Sequence, residues 1–349
     1  MRERVSVTNV TASFRTQRGI LVAAMPRCVL RGRFVFVIVM ALAVGGAGCV
    51  AVIRVPETPA SPEQLAEFWI DPGDAQRDLF WGVGGEEHAP PANAVYEFEA
   101  KDTGGFSTSY DVVAPDGIGW SVKIGAEAQP EVVVSRILWG LGYHQPPIYY
   151  LPTWKFAAAG RAVQTEKEGR FRPKLPWMER LGEYWRWSDN PYVGRPELSG
   201  LLVVLLMLNS TDLKDDNNSI YQLAEPWDGA RRWFVVRDLG ASLGETGKWY
   251  PHRNWLEGFE KRGFIKRVNG DRIDFDFRGR HHELLTLIGP ADVLWAATRM
   301  ARFSGRQWQD AFRAGGYSDI IAARYILRIK RKIDDGLAVQ NAPRLAEHR

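Results

Sequence analysis

Only two cysteines occur in the 349 residues, Cys28 and Cys49, and both fall within the first fifty positions. The part of the chain that folds therefore has no disulfide of its own and must be held by packing. An excess of one charge is missing too: 45 Lys and Arg stand against 41 Asp and Glu, a formal +4, with the basic residues spread along the chain. Without a basic block, a pI near 9.0 does not make a nucleic-acid surface, and no nucleic-acid partner is expected. No G-x-S-x-G elbow supports a serine hydrolase. His281 and His282 lack both a nearby cysteine and an H-x-x-x-H spacing, so they read as surface histidines and not as a metal site. No internal repeat is present.

What the chain does have is apolar mass. Hydrophobic residues make up 45% and aromatics 12%, enough for one domain of two lobes or two small domains. Trp is abundant, and Trp120, Trp139, Trp154, Trp177, Trp185 and Trp187 sit in apolar or aromatic segments, which makes them core and interface residues before carbohydrate platforms.

The first 49 residues read as an address. Arg27, Arg31 and Arg33 precede the apolar run Phe34–Val44, too short to span a bilayer comfortably but suited to a signal-peptide core, and Met25 is an alternative start. The GGAGC that ends at Cys49 resembles the bacterial lipobox, with Gly46 where Leu is commonest. The resemblance implies lipidation at Cys49 and an exported, membrane-associated protein on the periplasmic or cell-surface side. An uncleaved N-terminal anchor also gives membrane attachment. Residues 50–75, Pro-rich and polar at VIRVPETPASPE, suit a tether.

From Val95 the chain alternates through YEFE, a KDTGGFSTS turn, SYDVV, a PDG turn and WSVKIG, which predicts three antiparallel strands. The segment after Pro130 has helical spacing at Val133, Ile137, Leu138 and Leu141, ends at Gly142, and is followed by a strand at IYYLPTW. Residues 156–196 read only as a connecting segment. Glu197 opens an apolar helix, ELSGLLVVLLMLN, that runs into STDLKDDNNS. RRWFVVRDLG predicts a strand ending on Asp238, FIKRVNGDRIDFDF a hairpin turning at Asn269 and Gly270, and the remainder three helices. The basic KRK at 330–332 is placed on the solvated face of the last of them. The expected division is a small lobe at 76–155 and a larger one at 156–345.

DLKDDN, Asp212 to Asn217, has the D-L-K-x-x-N spacing of the protein-kinase catalytic loop and, like that loop, follows an apolar helix. Lys123 on the third strand comes before it, and DLG at Asp238–Gly240, where kinases carry D-F-G, comes after. In this order the motifs resemble the protein-kinase-like superfamily. The resemblance implies an α+β, two-lobed fold with an antiparallel-sheet N-lobe and a mainly helical C-lobe, and transfer of a phosphoryl group from ATP to a hydroxyl acceptor. On that reading Lys123 would hold the α and β phosphates, with Glu131, or Glu127, as its carboxylate partner. Asp212 would orient or deprotonate the acceptor, Lys214 would help neutralise the transferred group, and Asn217, or Asn218, would bind Mg with Asp238. Gly104 and Gly105, in the loop joining the first two strands, would cover the phosphates, although the loop lacks the full G-x-G-x-x-G spacing, and Lys248, His252 and Arg253 would lie in the substrate-binding segment or simply form a basic loop.

Three departures mark the chain. No His-Arg precedes Asp212, the step from Lys123 to Glu131 is short, and the interval from Asn217 to Asp238 is long. They bring it closer to the atypical branches, HipA-like, CotH-like, secretory-pathway and phosphatidylinositol-kinase-like, than to a Ser/Thr kinase proper. An exported lipoprotein also meets little ATP, so the alternative expectation is a membrane-tethered pseudokinase or binding module without catalysis.

Overall fold

The structure is a computed structural model that describes residues 53–74, 76–246, 252–279 and 282–341, all within one compact unit, Cys49–Arg349. The address motifs up to Cys49, together with Lys248, His281 and the His282 side chain, lie outside the described residues. These residues hold seven α-helices and ten strands, a mixed architecture of sheets and helices.

A short helix, α1 (Pro62–Ala66), starts at Ser61, whose hydroxyl accepts from the Gln64 amide while the Gln64 side chain accepts from the Ser61 amide. Strands β1 (Val95–Asp102), β2 (Ser109–Val113) and β3 (Gly119–Ile124) form the predicted meander. Helix α2 (Ala128–Gly140) leads to β4 (Tyr149–Ala157), and β5 (Gln164–Pro173) then inserts between β3 and β4. The five strands close a barrel in the order β1-β2-β3-β5-β4; its closing pair, β1 with β4, is parallel and the other pairings are antiparallel. The sheet therefore extends beyond residue 155 into the segment that sequence left as a connection. Period-two alternation turns Tyr110 and Val112, and Trp120 and Val122, into an interior shared with Tyr96, Trp154, Phe156 and Phe171.

Helix α2 begins three residues before Glu131 and carries Pro130 in its first turn, where a missing amide hydrogen leaves no bond unmade. Its exit needs Gly142: φ is +100°, and a Cβ there would stand 2.0 Å from the Ile70 carbonyl oxygen. Val133, Val134, Ile137 and Leu138 of α2 pack into the main core of the molecule and not into the barrel.

Two strands absent from the sequence reading, β6 (Met178–Arg180) and β7 (Asn218–Trp227), form a three-stranded sheet with β8 (Ala230–Val236) in the order β6-β7-β8. Helix α3 (Pro196–Met207) is buried along almost its whole length, as an apolar run of this length in a core requires. After α4 (Leu256–Lys261), the hairpin of β9 (Ile265–Asn269) and β10 (Arg272–Phe275) turns at Gly270, φ +58°. Helices α5 (Pro290–Ala301), α6 (Gly305–Ala314) and α7 (Asp319–Leu337) complete the fold. Among the described residues no helix is long and apolar enough to cross a membrane.

Trp120, Trp154, Trp185 and Trp187 are buried, as expected, while Trp139 and Trp177 are partly so. The KRK segment departs from expectation. Lys332 is not on a solvated face but fully buried, donating to the Met207 carbonyl at 2.9 Å and to Asn209 Oδ1 at 2.8 Å, with its ammonium 4.3 Å from the centre of the Phe259 ring. It satisfies the carbonyl of Met207, the last residue of α3, which has no partner further along the helix.

Candidate functional site

Lys123 stands on β3 between Ser109 of β2 and Arg170 of β5, its two partners in register. From there its ammonium meets three carboxylates: Glu131 at 3.1 Å, Glu127 at 3.5 Å, and Asp238, with which it is in direct hydrogen-bonded contact. Burial works to lower the Lys123 pKa, but the attraction of Glu131, Asp238 and Glu127 outweighs it and the net shift is upward. Glu131, one turn into α2 and 1% exposed, also receives Arg172 at 2.8 Å and Arg170 at 3.2 Å. Burial would raise its carboxyl, yet Arg170, Lys123 and Arg172 together hold it well below the usual range. Burial pushes Arg170 down to about 10 against the pull of Glu131.

The opposite side is built from turns. Beyond α3 the chain passes through Asn209, at φ +53°, and pairs with the DLG segment through the Thr211 amide and the Ala241 carbonyl, 3.0 Å apart. Asp212 follows, its carboxylate 3.0 Å from Lys214 Nζ. Asp215–Asn217 form a 3-10 turn, and the Asn217 side-chain Nδ2 donates to the Asp212 backbone carbonyl at 2.8 Å. The Arg237 amide then donates to the Asn217 carbonyl at 3.2 Å, which brings the next residue, Asp238, alongside. Asp238 lies two residues past the end of β8, at φ +56°, a conformation that Asp and Asn adopt more readily than most residues. Gly240 must be glycine for another reason: a Cβ there would stand 2.4 Å from Glu127 Cβ.

Lys123, Glu131, Asn217 and Asp238 line one polar cavity of about 250 Å³. Of the two asparagines only Asn217 faces it. Asn218 begins β7, is fully buried, and donates to the Trp185 carbonyl at 3.1 Å. Asp212, Lys214, Gly104 and Gly105 are not in the cavity wall; Asp212 is joined to it through Asn217, and the two glycines lie at the exposed tip of the β1–β2 loop. Glu127 has other duties besides Lys123: it accepts from Ser107 of that loop at 2.7 Å and pairs with Arg253 at 2.6 Å. Arg253 stacks on Phe106 at 3.7 Å, so it is engaged within the fold and not presented to a substrate. His252 packs edge-on against Trp255, with ring centroids 4.9 Å apart.

Six residues of the wall carry no role in the sequence reading: Ser109, Ser121, Arg170, Arg172, Asp216 and Arg237. A signal existed in RFRP, where two arginines at period two predict side chains on one face of a strand. A fixed ammonium set beside carboxylate and amide oxygens on the wall of a small polar cavity is a donor set that suits a polyphosphate with a hard cation.

No protein-family model matches the chain, and no curated protein does. Among solved structures it is similar to the crystal structure of a Helicobacter pylori proinflammatory kinase, CtkA, with 11% identity, 73% of this chain and 100% of that chain covered, and a TM-score of 0.43.

Proposed function

We propose that the chain is an atypical kinase-like phosphotransferase of two-lobed design that uses ATP and Mg to modify a hydroxyl acceptor. The observation that carries the reading is the contact of the strand lysine Lys123 with the helix carboxylate Glu131 in the cavity that also receives Asn217 and Asp238. A lysine and glutamate so paired are what orders a phosphate-binding ammonium in kinases. Among the described residues no group of three or more His, Cys, Asp or Glu forms a metal cage. Magnesium held together with phosphates needs only one or two protein carboxylates, and Asp238, Asp216 and the Asn217 amide fit that need round one cavity. When bound, the ion would supply neutralising charge at the transferred phosphoryl group. Lys123 holds the phosphates, Asp212 accepts the proton of the acceptor hydroxyl, and Lys214 keeps the Asp212 carboxylate oriented.

The test is a thermal shift with ATP and Mg in the wild type and in Asp238→Ala, run beside a phosphate-transfer assay. A magnesium-dependent rise in the wild type, lost in the variant, together with transfer, is the expected result; no rise in the wild type removes the enzyme. One observation favours the second reading, a tethered nucleotide binder: Asp212 is ion-paired with Lys214 and lies outside the cavity wall. A thermal shift without transfer would select it. Membrane attachment through Cys49 belongs to the same proposal, and palmitate labelling that persists in Cys49→Ala would remove it.

A further inference from the structure

A second, wider groove of about 550 Å³ adjoins the cavity and shares Ser121, Arg172 and Arg237 with it. Leu175, Met178 and Tyr221 supply apolar wall, but the charge there is one-sided. Lys174 at the rim is already paired with Asp111 at 3.2 Å and Glu99 at 3.7 Å. The three guanidinium groups of Arg172, Arg180 and Arg237 are not matched in this way. Arg172 has one contact with Glu131, a carboxylate it shares with Lys123 and Arg170, and its Nε has no hydrogen-bond partner among the described residues. Arg180 donates to the uncharged Ser219 hydroxyl at 3.2 Å. Arg237 is the least matched of the three: its Nε is buried without a partner among the described residues, and burial, with the like charges of Arg172, Arg180 and Arg170 beside it, pushes its pKa down to about 9. Glu179, on the surface, is the sole carboxylate in the groove wall among the described residues.

Arg172 and Arg237 are largely covered, and cations in such places are ordinarily paired because leaving one desolvated and unmatched is costly, while Arg180 adds a third charge from the exposed rim. Three guanidinium forks converging on one groove present several donors to a tetrahedral anion and more charge than a single carboxylate would balance. A neutral ring would leave that charge unanswered. We infer that the groove lined by Arg172, Arg180 and Arg237 is a binding subsite for a phosphate group, separate from the phosphates assigned to Lys123. The inference stands on the groove's own residues and does not need the nucleotide reading.

Sodium pyrophosphate in EDTA, so that no divalent ion takes part, is the probe, read by thermal shift. The wild type should gain at least about 3 °C at saturation. Arg237→Gln and the exposed-site variant Arg180→Gln should each keep less than about a third of that gain, and Lys123→Gln should keep it while losing the magnesium–ATP shift. Arg180→Gln decides the matter should Arg237→Gln fail to fold. No gain in the wild type, a full gain in Arg180→Gln, or a loss confined to Lys123→Gln overturns the subsite; the last of these leaves the nucleotide reading untouched. Adding pyrophosphate to protein already saturated with magnesium–ATP identifies the source. A further rise points to a separate phosphorylated ligand, and no further rise to a phosphate of the nucleotide itself reaching the groove.

Discussion

Lys123 and Glu131 reach the cavity from a strand hydrogen-bonded on both edges and from a thirteen-residue helix, whereas Asn217 and Asp238 reach it from a 3-10 turn and a positive-φ residue. On the first side the charges are buried and shared among several partners, so the shape of the cavity and the stability of the fold depend on the same contacts. On the second, backbone geometry does the positioning, and Asp238 is half-exposed, with its side chain 38% accessible. Disturbing the first wall should therefore cost stability as well as ligand, and disturbing the second should cost the ligand alone.

Substitutions that break this contrast can be ranked. Lys123→Met should have the largest effect, abolishing the magnesium–ATP thermal shift and lowering transfer by at least about 100-fold, as loss of a preorganised charge does. Wild-type transfer in this variant would detach Lys123 from the phosphates. Glu131→Gln should cost about 3–5 kcal/mol in chemical denaturation, because Arg170, Arg172 and Lys123 lose a buried counter-charge. A cost below about 1 kcal/mol would show that the wall is not held by charge.

Acid sharpens the same point. The Glu131 pKa is lower in the folded than in the unfolded chain, so its contribution is complete above the ordinary carboxylate value near 4.5 and is lost as pH falls below it toward the folded value. The acid limb of a stability–pH curve should flatten in Glu131→Gln; an unchanged limb would assign the acid sensitivity elsewhere. Asp238→Asn should have the smallest effect on stability, within about 1 kcal/mol, because Asn accepts the positive φ, while the magnesium dependence of nucleotide binding disappears. Unfolding of this variant would contradict the division between the walls.

Lys123 and Glu131 could be placed from sequence because alternation marks β3 and apolar spacing marks α2. β5 could not, since in QTEKEGRFRP only Phe171 carries apolar signal, and the strand owes its identity to pairing with β3 and β4. Arg170 and Arg172 were hidden for the same reason: alternating arginines look like a wet surface until Glu131 is seen facing them. The choice between Asn217 and Asn218 needed the start of β7, which turns consecutive side chains to opposite sides. Lys332 was misread because its partners, the carbonyl of Met207 and the side chain of Asn209, are more than a hundred positions away.

Helix α2 sits between β3 and β4 in the chain, yet it packs on α6, which is made far later. As the ribosome delivers the chain N-terminus first, Lys123 and Glu131 emerge before Arg170 and Arg172, and β5 must arrive before the barrel can close. Through that interval α2 has an apolar flank with no partner and a carboxylate missing two of its three cations. The face that carries Lys123 and Glu131 is thus among the last parts of the protein to be finished, and a chain truncated between Asp238 and α6 would carry Lys123, Glu131, Asn217 and Asp238 without the packing that positions them.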